Sequence, residues 1–166
     1  VVVCVSEFTP PTEITRDLVN TLLDWAEKNG CTKVISAEGF NSGPKEEGKE
    51  NEVYGITSTV GSRVWIKEAK VKPFTYGTVG GITGALLNEG KIRKMNVFGL
   101  LAEVNEDLPD ARAAANVIKA IDELLLAIEL DPEPLLKEAE SLEQEVQAVR
   151  DQAPPEVSSS VPRYIG

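Results

Sequence analysis

A chain of 166 residues with 42% apolar side chains is long enough for one domain with a buried core, and too apolar for wholesale disorder. Its 17 Lys and Arg stand against 27 Asp and Glu, and the net charge of −10 argues against a surface for nucleic acid or an anionic membrane. Histidine is absent, which removes Ser-His and Cys-His nucleophile pairs, imidazole metal sites and the usual base near neutral pH, and so argues against an enzyme.

The chain opens in Val1-Val2-Val3-Cys4-Val5, an apolar β-branched run that predicts a buried strand. A strand at the first residue implies that an N-terminal portion is missing. Pro10-Pro11-Thr12 punctuates a loop, with Thr12 or Thr15 able to cap a helix. Leu18, Val19, Leu22, Leu23 and Ala26 recur at helical spacing, and Asn29-Gly30 stops the helix. Lys33 to Ala37 reads as a second strand, so the opening predicts a βαβ unit with parallel strands. Cys4 and Cys31 lie at or beside these strands without CxxC or metal-ligand spacing, and read as small buried hydrophobes with reduced thiols.

Residues 38–52 show no apolar periodicity and predict an exposed loop. Val53 to Thr57 re-enters regular structure, Ser58 to Ala69 suggests a short helix, and Val71 to Tyr76 suggests a strand that Pro73 confines to an edge. Gly77, Gly80, Gly81 and Gly84 lead into an apolar helix through Leu86 and Leu87, with Gly90 at its expected end. Asn96 to Val104 is the clearest interior strand, followed by an acidic turn with Pro109. A helix over about 110–128 carries Ala114, Val117, Ile118, Ile121, Leu124, Leu125 and Ile128 on one side. Asp131-Pro132-Glu133 opens an acidic helix over 131–151, in which Leu135, Ala139, Leu142, Val146 and Val149 form a heptad seam for one neighbouring helix. Ala153-Pro154-Pro155 ends it, and a Ser-containing spacer leads to Arg163-Tyr164-Ile165-Gly166. The expected organisation is thus one α/β domain over 1–152 and a flexible tail over 153–166. The absence of a secretory core and of any run of about 18 apolar residues implies a soluble, cytoplasmic protein without a membrane partner.

Three features could carry function. The glycines at 77, 80, 81 and 84 precede a helix whose backbone N–H groups could hold a phosphate or carboxylate. They lack the Lys and Ser/Thr of a P-loop and the spacing of a dinucleotide fingerprint, so close packing is the competing reading. Glu38 and Glu103 fall at the ends of strands expected to be parallel, where α/β sheets bind ligands, so one could serve as a base; Lys33, Lys67 and Lys70 offer less. The tail offers an aromatic ring and a carboxylate on a tether, the form of a docking peptide. No metal or cofactor motif is present.

The segment GGITGALLNEGKIRKMNVFGLLAEV, its acidic Pro-containing turn, the Ala-rich helix and the helix opened by Asp-Pro resemble the proteasome assembly chaperone family. The likeness is to its archaeal branch, related to the second eukaryotic assembly chaperone. PTEITRDLVNTLLDWAEKNGCTKVISAEGF is similar to that family's first crossover, so the resemblance runs from Val1 to about Gln152. It implies a three-layer α/β/α fold with a mostly parallel sheet, nucleoside-phosphorylase-like but without phosphorylase catalytic groups, plus the C-terminal acidic helix. It implies a cytoplasmic homo-oligomer that needs no ATP or other cofactor and aids assembly of the proteasome core particle by binding its α subunits. Several relatives insert a C-terminal hydrophobic–Tyr–any motif between α subunits. The nearest match is Arg163-Tyr164-Ile165-Gly166, which departs from it: Tyr164 is third from the end and Arg163 precedes it. The alternative is a small-ligand protein or enzyme of nucleoside or carboxylate type, with Gly80 and Gly81 as its anion site and Glu38 or Glu103 as its base.

Overall fold

The computed structural model describes residues 1–6, 9–41, 52–69, 71–104, 110–125 and 131–152, apart from the side chains of 143 and 146–152. In chain order the elements are α1 (Thr15–Lys28), β1 (Val34–Phe40), β2 (Val53–Thr57), α2 (Arg63–Glu68), β3 (Lys72–Pro73), α3 (Gly81–Arg93), β4 (Val97–Glu103), α4 (Ala111–Leu125) and α5 (Glu133–Gln152). The strands form one sheet in the order β1-β4-β2-β3. β1 with β4 and β2 with β3 run parallel, whereas β2 and β4 are antiparallel.

Strand β4 lies at the centre because it is apolar on both faces: Val97, Phe98 and Leu100 are wholly buried. Alternate residues of a strand point to opposite faces, which splits the core in two. Val97 packs with Val19 and Leu23 of α1 and Leu86 and Leu87 of α3, whereas Phe98 and Leu100 pack with Ile66 of α2 and Ala120 and Leu124 of α4. The result is a three-layer α/β arrangement, with α5 laid on α4. Each large aliphatic side chain buried this way contributes about 1.5–3 kcal/mol.

Helix α1 follows the predicted spacing, with Val19, Leu23 and Ala26 buried. It ends as read: Gly30 takes φ +71°, its N–H donates to the Glu27 carbonyl, and the Cys31 N–H donates to that of Ala26. Its start differs, because neither Thr12 nor Thr15 caps it; a 3-10 turn over Thr12–Ile14 leads in. At the far end of the chain the Asp131 carboxylate accepts the Glu133 N–H at 3.0 Å, and Asp110 does the same for Ala113 at 2.9 Å in front of α4.

Val1–Ser6 adopt no regular secondary structure, and Val1, Val2, Val3 and Val5 are 63–91% exposed, contrary to the expected buried strand. No ladder partner reaches this run among the described residues, and a β-branched run without a ladder cannot satisfy its backbone as a strand. The opening is therefore not a βαβ unit here; the parallel pair joined by a helix is β2–α2–β3. Cys4 is accordingly exposed, not buried, and Cys31 is half-buried.

Four further differences have local causes. Glu38, Gly39 and Phe40 belong to β1 and not to a loop, because β4 continues the ladder to Glu103; residues 42–51 of the expected loop lie outside the described residues. Helix α2 is confined to Arg63–Glu68, since Ser58 is held by β4, its Oγ accepting the Val97 N–H at 2.9 Å. Helix α3 does not stop at Gly90 but runs to Arg93, where Lys94 takes φ 60° and the Met95 N–H returns to the Gly90 carbonyl. Ala114 is exposed, because Ala113, Ala120 and Leu124 define the buried face of α4; Ile128 lies outside the described residues.

Candidate functional site

The glycine segment divides into distinct local roles. Gly77 has φ +120°, and a Cβ there would sit 2.8 Å from Phe74 Cζ. Gly81 has φ +55°, the left-handed region that other residues enter at a cost of about 1–2 kcal/mol. A Cβ on Gly84 would lie 2.2 Å from the Val79 carbonyl oxygen, so this glycine lets the loop fold against the first turn of α3. Gly80 extends into α3 at φ −100°, and a Cβ on it or on Gly81 would meet nothing within 4 Å. These two leave open space beside the helix start and do not serve close packing.

The close approach of α3 to the sheet is made by other residues. A Cβ on Gly90 would fall 2.4 Å from Val97 Cγ2, and one on Gly99 would fall 2.9 Å from Ile56 and 3.1 Å from Thr83. Beneath the start of α3, the Ser36 and Thr83 hydroxyls hydrogen-bond to each other at 2.7 Å. Among the described residues no side-chain polar atom is left buried without a partner.

Glu38 and Glu103 fall on one face of the sheet. Glu38 is level with Leu101 and Phe40 with Glu103, so both carboxylates share the α1/α3 face of the sheet near the carboxyl ends of parallel strands. Their surroundings differ. Glu38 is exposed, whereas Glu103 Oε2 accepts the backbone N–H of Glu52 at 3.3 Å, across the β2–β4 boundary. The two carboxylates therefore work separately: one is solvated and the other ties two antiparallel strands.

That tie belongs to a polar cluster that the sequence does not announce. Tyr54 donates its hydroxyl proton to Glu52 Oε2 at 2.8 Å, and Lys72 donates to Glu52 Oε1 at 2.5 Å. Lys72 lies level with Tyr54 in β3, so the Lys72–Glu52 pair clips the two-residue edge strand to the sheet. The ring of Tyr54 meets Phe40 edge-on at 5.9 Å between centroids. The hydrogen bond to Glu52, burial and the charge of Glu103 push the Tyr54 hydroxyl up to about 12. Tyr54 thus remains a donor throughout the physiological range and cannot act as a base.

The remaining candidates are placed as follows. Lys33 donates to the Leu124 carbonyl at 2.9 Å and lies 4.4 Å over the Trp65 ring, a structural position at the end of α4. Lys67 is exposed on α2, and Lys70 lies outside the described residues. Arg163, Tyr164, Ile165 and Gly166 also lie outside the described residues. Among the described residues no group of three or more His, Cys, Asp or Glu could hold a metal ion, and no helix is long and apolar enough to cross a membrane.

The chain is similar to known proteins over most of its length. Uncharacterized protein MJ0106 of Methanocaldococcus jannaschii is 30% identical over 82% of this chain and 60% of its own. The structure of Pyrococcus furiosus PbaA, described as an archaeal homolog of proteasome-assembly chaperone, superposes with a TM-score of 0.81 at 30% identity, covering 89% of this chain and 60% of PbaA. Pyrococcus furiosus PbaB, described as an archaeal proteasome activator, gives a TM-score of 0.73 at 25% identity, covering 85% of this chain and 61% of PbaB. The chain thus spans about 60% of the length of these relatives. The PAC2 family model matches residues 1–150, and the chain therefore belongs to the PAC2 family.

Proposed function

We propose that this protein is a proteasome-assembly-chaperone-like factor that acts by contact alone, binding α subunits of the proteasome core particle as a homo-oligomer in the cytoplasm. The observation that carries the reading is its similarity, over 89% and 85% of the chain, to an archaeal homolog of proteasome-assembly chaperone and to an archaeal proteasome activator. The carboxylate of Glu103, the phenol of Tyr54 and the ammonium of Lys72 all engage Glu52, an arrangement that ties the β2 and β3 side of the sheet to β4.

In this reading residues 1–152 form one nucleoside-phosphorylase-like body with the acidic helix packed on it. Residues 153–166 are the tether that presents Arg163-Tyr164-Ile165-Gly166. Tyr164 supplies the aromatic anchor, since a ring with few torsions buries a large area at little entropic cost. Apolar burial at the subunit contact drives association, and no cofactor takes part.

The test is co-purification of recombinant archaeal proteasome α subunits on the immobilised chain, run beside a thermal-shift panel of nucleosides, phosphate and carboxylates. Retention of α subunits with no shift supports binding by contact. A shift of about 2.7 kcal/mol in stability at 100 times a compound's dissociation constant, without retention, would favour the small-ligand alternative at Gly80 and Gly81.

A further inference from the structure

We draw no further inference here: the strongest candidate, the outer edge of β1 at the end of the sheet together with the exposed apolar run Val1–Val5, carries nothing because nothing in the structure shows what covers either of them.

Discussion

Replacing Gly84 with alanine isolates the part of the glycine segment that is structural. The added methyl would lie 2.2 Å from the Val79 carbonyl oxygen and 2.9 Å from its carbon, where an ordinary carbon–oxygen contact is about 3.3 Å. The obstacle is backbone, so the loop in front of α3 must retreat by about 1 Å. Overpacking of this kind costs about 1–3 kcal/mol, and the upper end applies because no side chain can turn away. Alanine regains about 1 kcal/mol of helix propensity. The net loss is about 2 kcal/mol, equivalent to a fall in melting temperature of about 4–8 °C for a domain of this size. Urea unfolding followed by circular dichroism measures it, with an unchanged slope showing that stability alone has moved. Gly80→Ala is the matched control. Its methyl meets nothing within 4 Å, so the loss of the preferred cap residue and the stiffening of the unfolded chain leave it within about 0.5 kcal/mol of the parent. Equal unfolding midpoints for the two variants would refute the packing assigned to Gly84.

Three other perturbations follow from particular contacts. Phe98 is wholly buried and stacked on Trp65 at 5.5 Å, so Phe98→Ala costs about 3–5 kcal/mol in the same urea assay; a loss under 1 kcal/mol would show that the α2/α4 side of the core is misplaced. Val3→Thr, at a site 76% exposed, changes stability by less than about 0.5 kcal/mol, whereas a loss near 2 kcal/mol would mean that the Val1–Val5 run is buried after all. The Tyr54 hydroxyl is raised from 10.0 in the unfolded chain to about 12 in the fold, so its protonated form favours the native state. That contribution is complete below pH 10 and disappears as pH climbs through about 12. Ultraviolet titration of phenolate, compared with Tyr54→Phe, should therefore lose a late component near pH 12; loss of a component near pH 10 would contradict the hydrogen bond to Glu52.

What the sequence reveals is local. Leu18, Val19, Leu22, Leu23 and Ala26 specify α1 through their spacing, and Gly30 marks its end because a left-handed residue is needed there. The unbroken apolar run of β4 identifies an interior strand, and Pro73 forecasts an edge because it cannot donate to a ladder. What it conceals depends on neighbours distant in sequence. Val1–Val5 have every strand preference, but preference supplies no ladder. Gly90 looks like a helix stop, yet its smallness is required where α3 crosses Val97, and Lys94 takes the turn instead. Glu103 was legible as the end of a strand, but its partner Glu52 sits on an antiparallel neighbour whose register no local pattern predicts. Lys72 is concealed for the same reason: it lies 20 positions from Glu52, and only the β2–β3 pairing brings it beside Tyr54, whose own bond to Glu52 is local.

The proposed contact of Tyr164 with proteasome α subunits is open to calorimetric titration. Archaeal proteasome α subunits are titrated with the 166-residue chain and with the same chain lacking Val161–Gly166, after circular dichroism has verified that both are folded. Saturable binding by the intact chain, weakened at least tenfold by the deletion, is the predicted result; tenfold corresponds to about 1.4 kcal/mol, a modest share for one aromatic anchor. Identical affinity with and without the tail would contradict the role given to Tyr164, and no binding by either chain would contradict the proposed function itself.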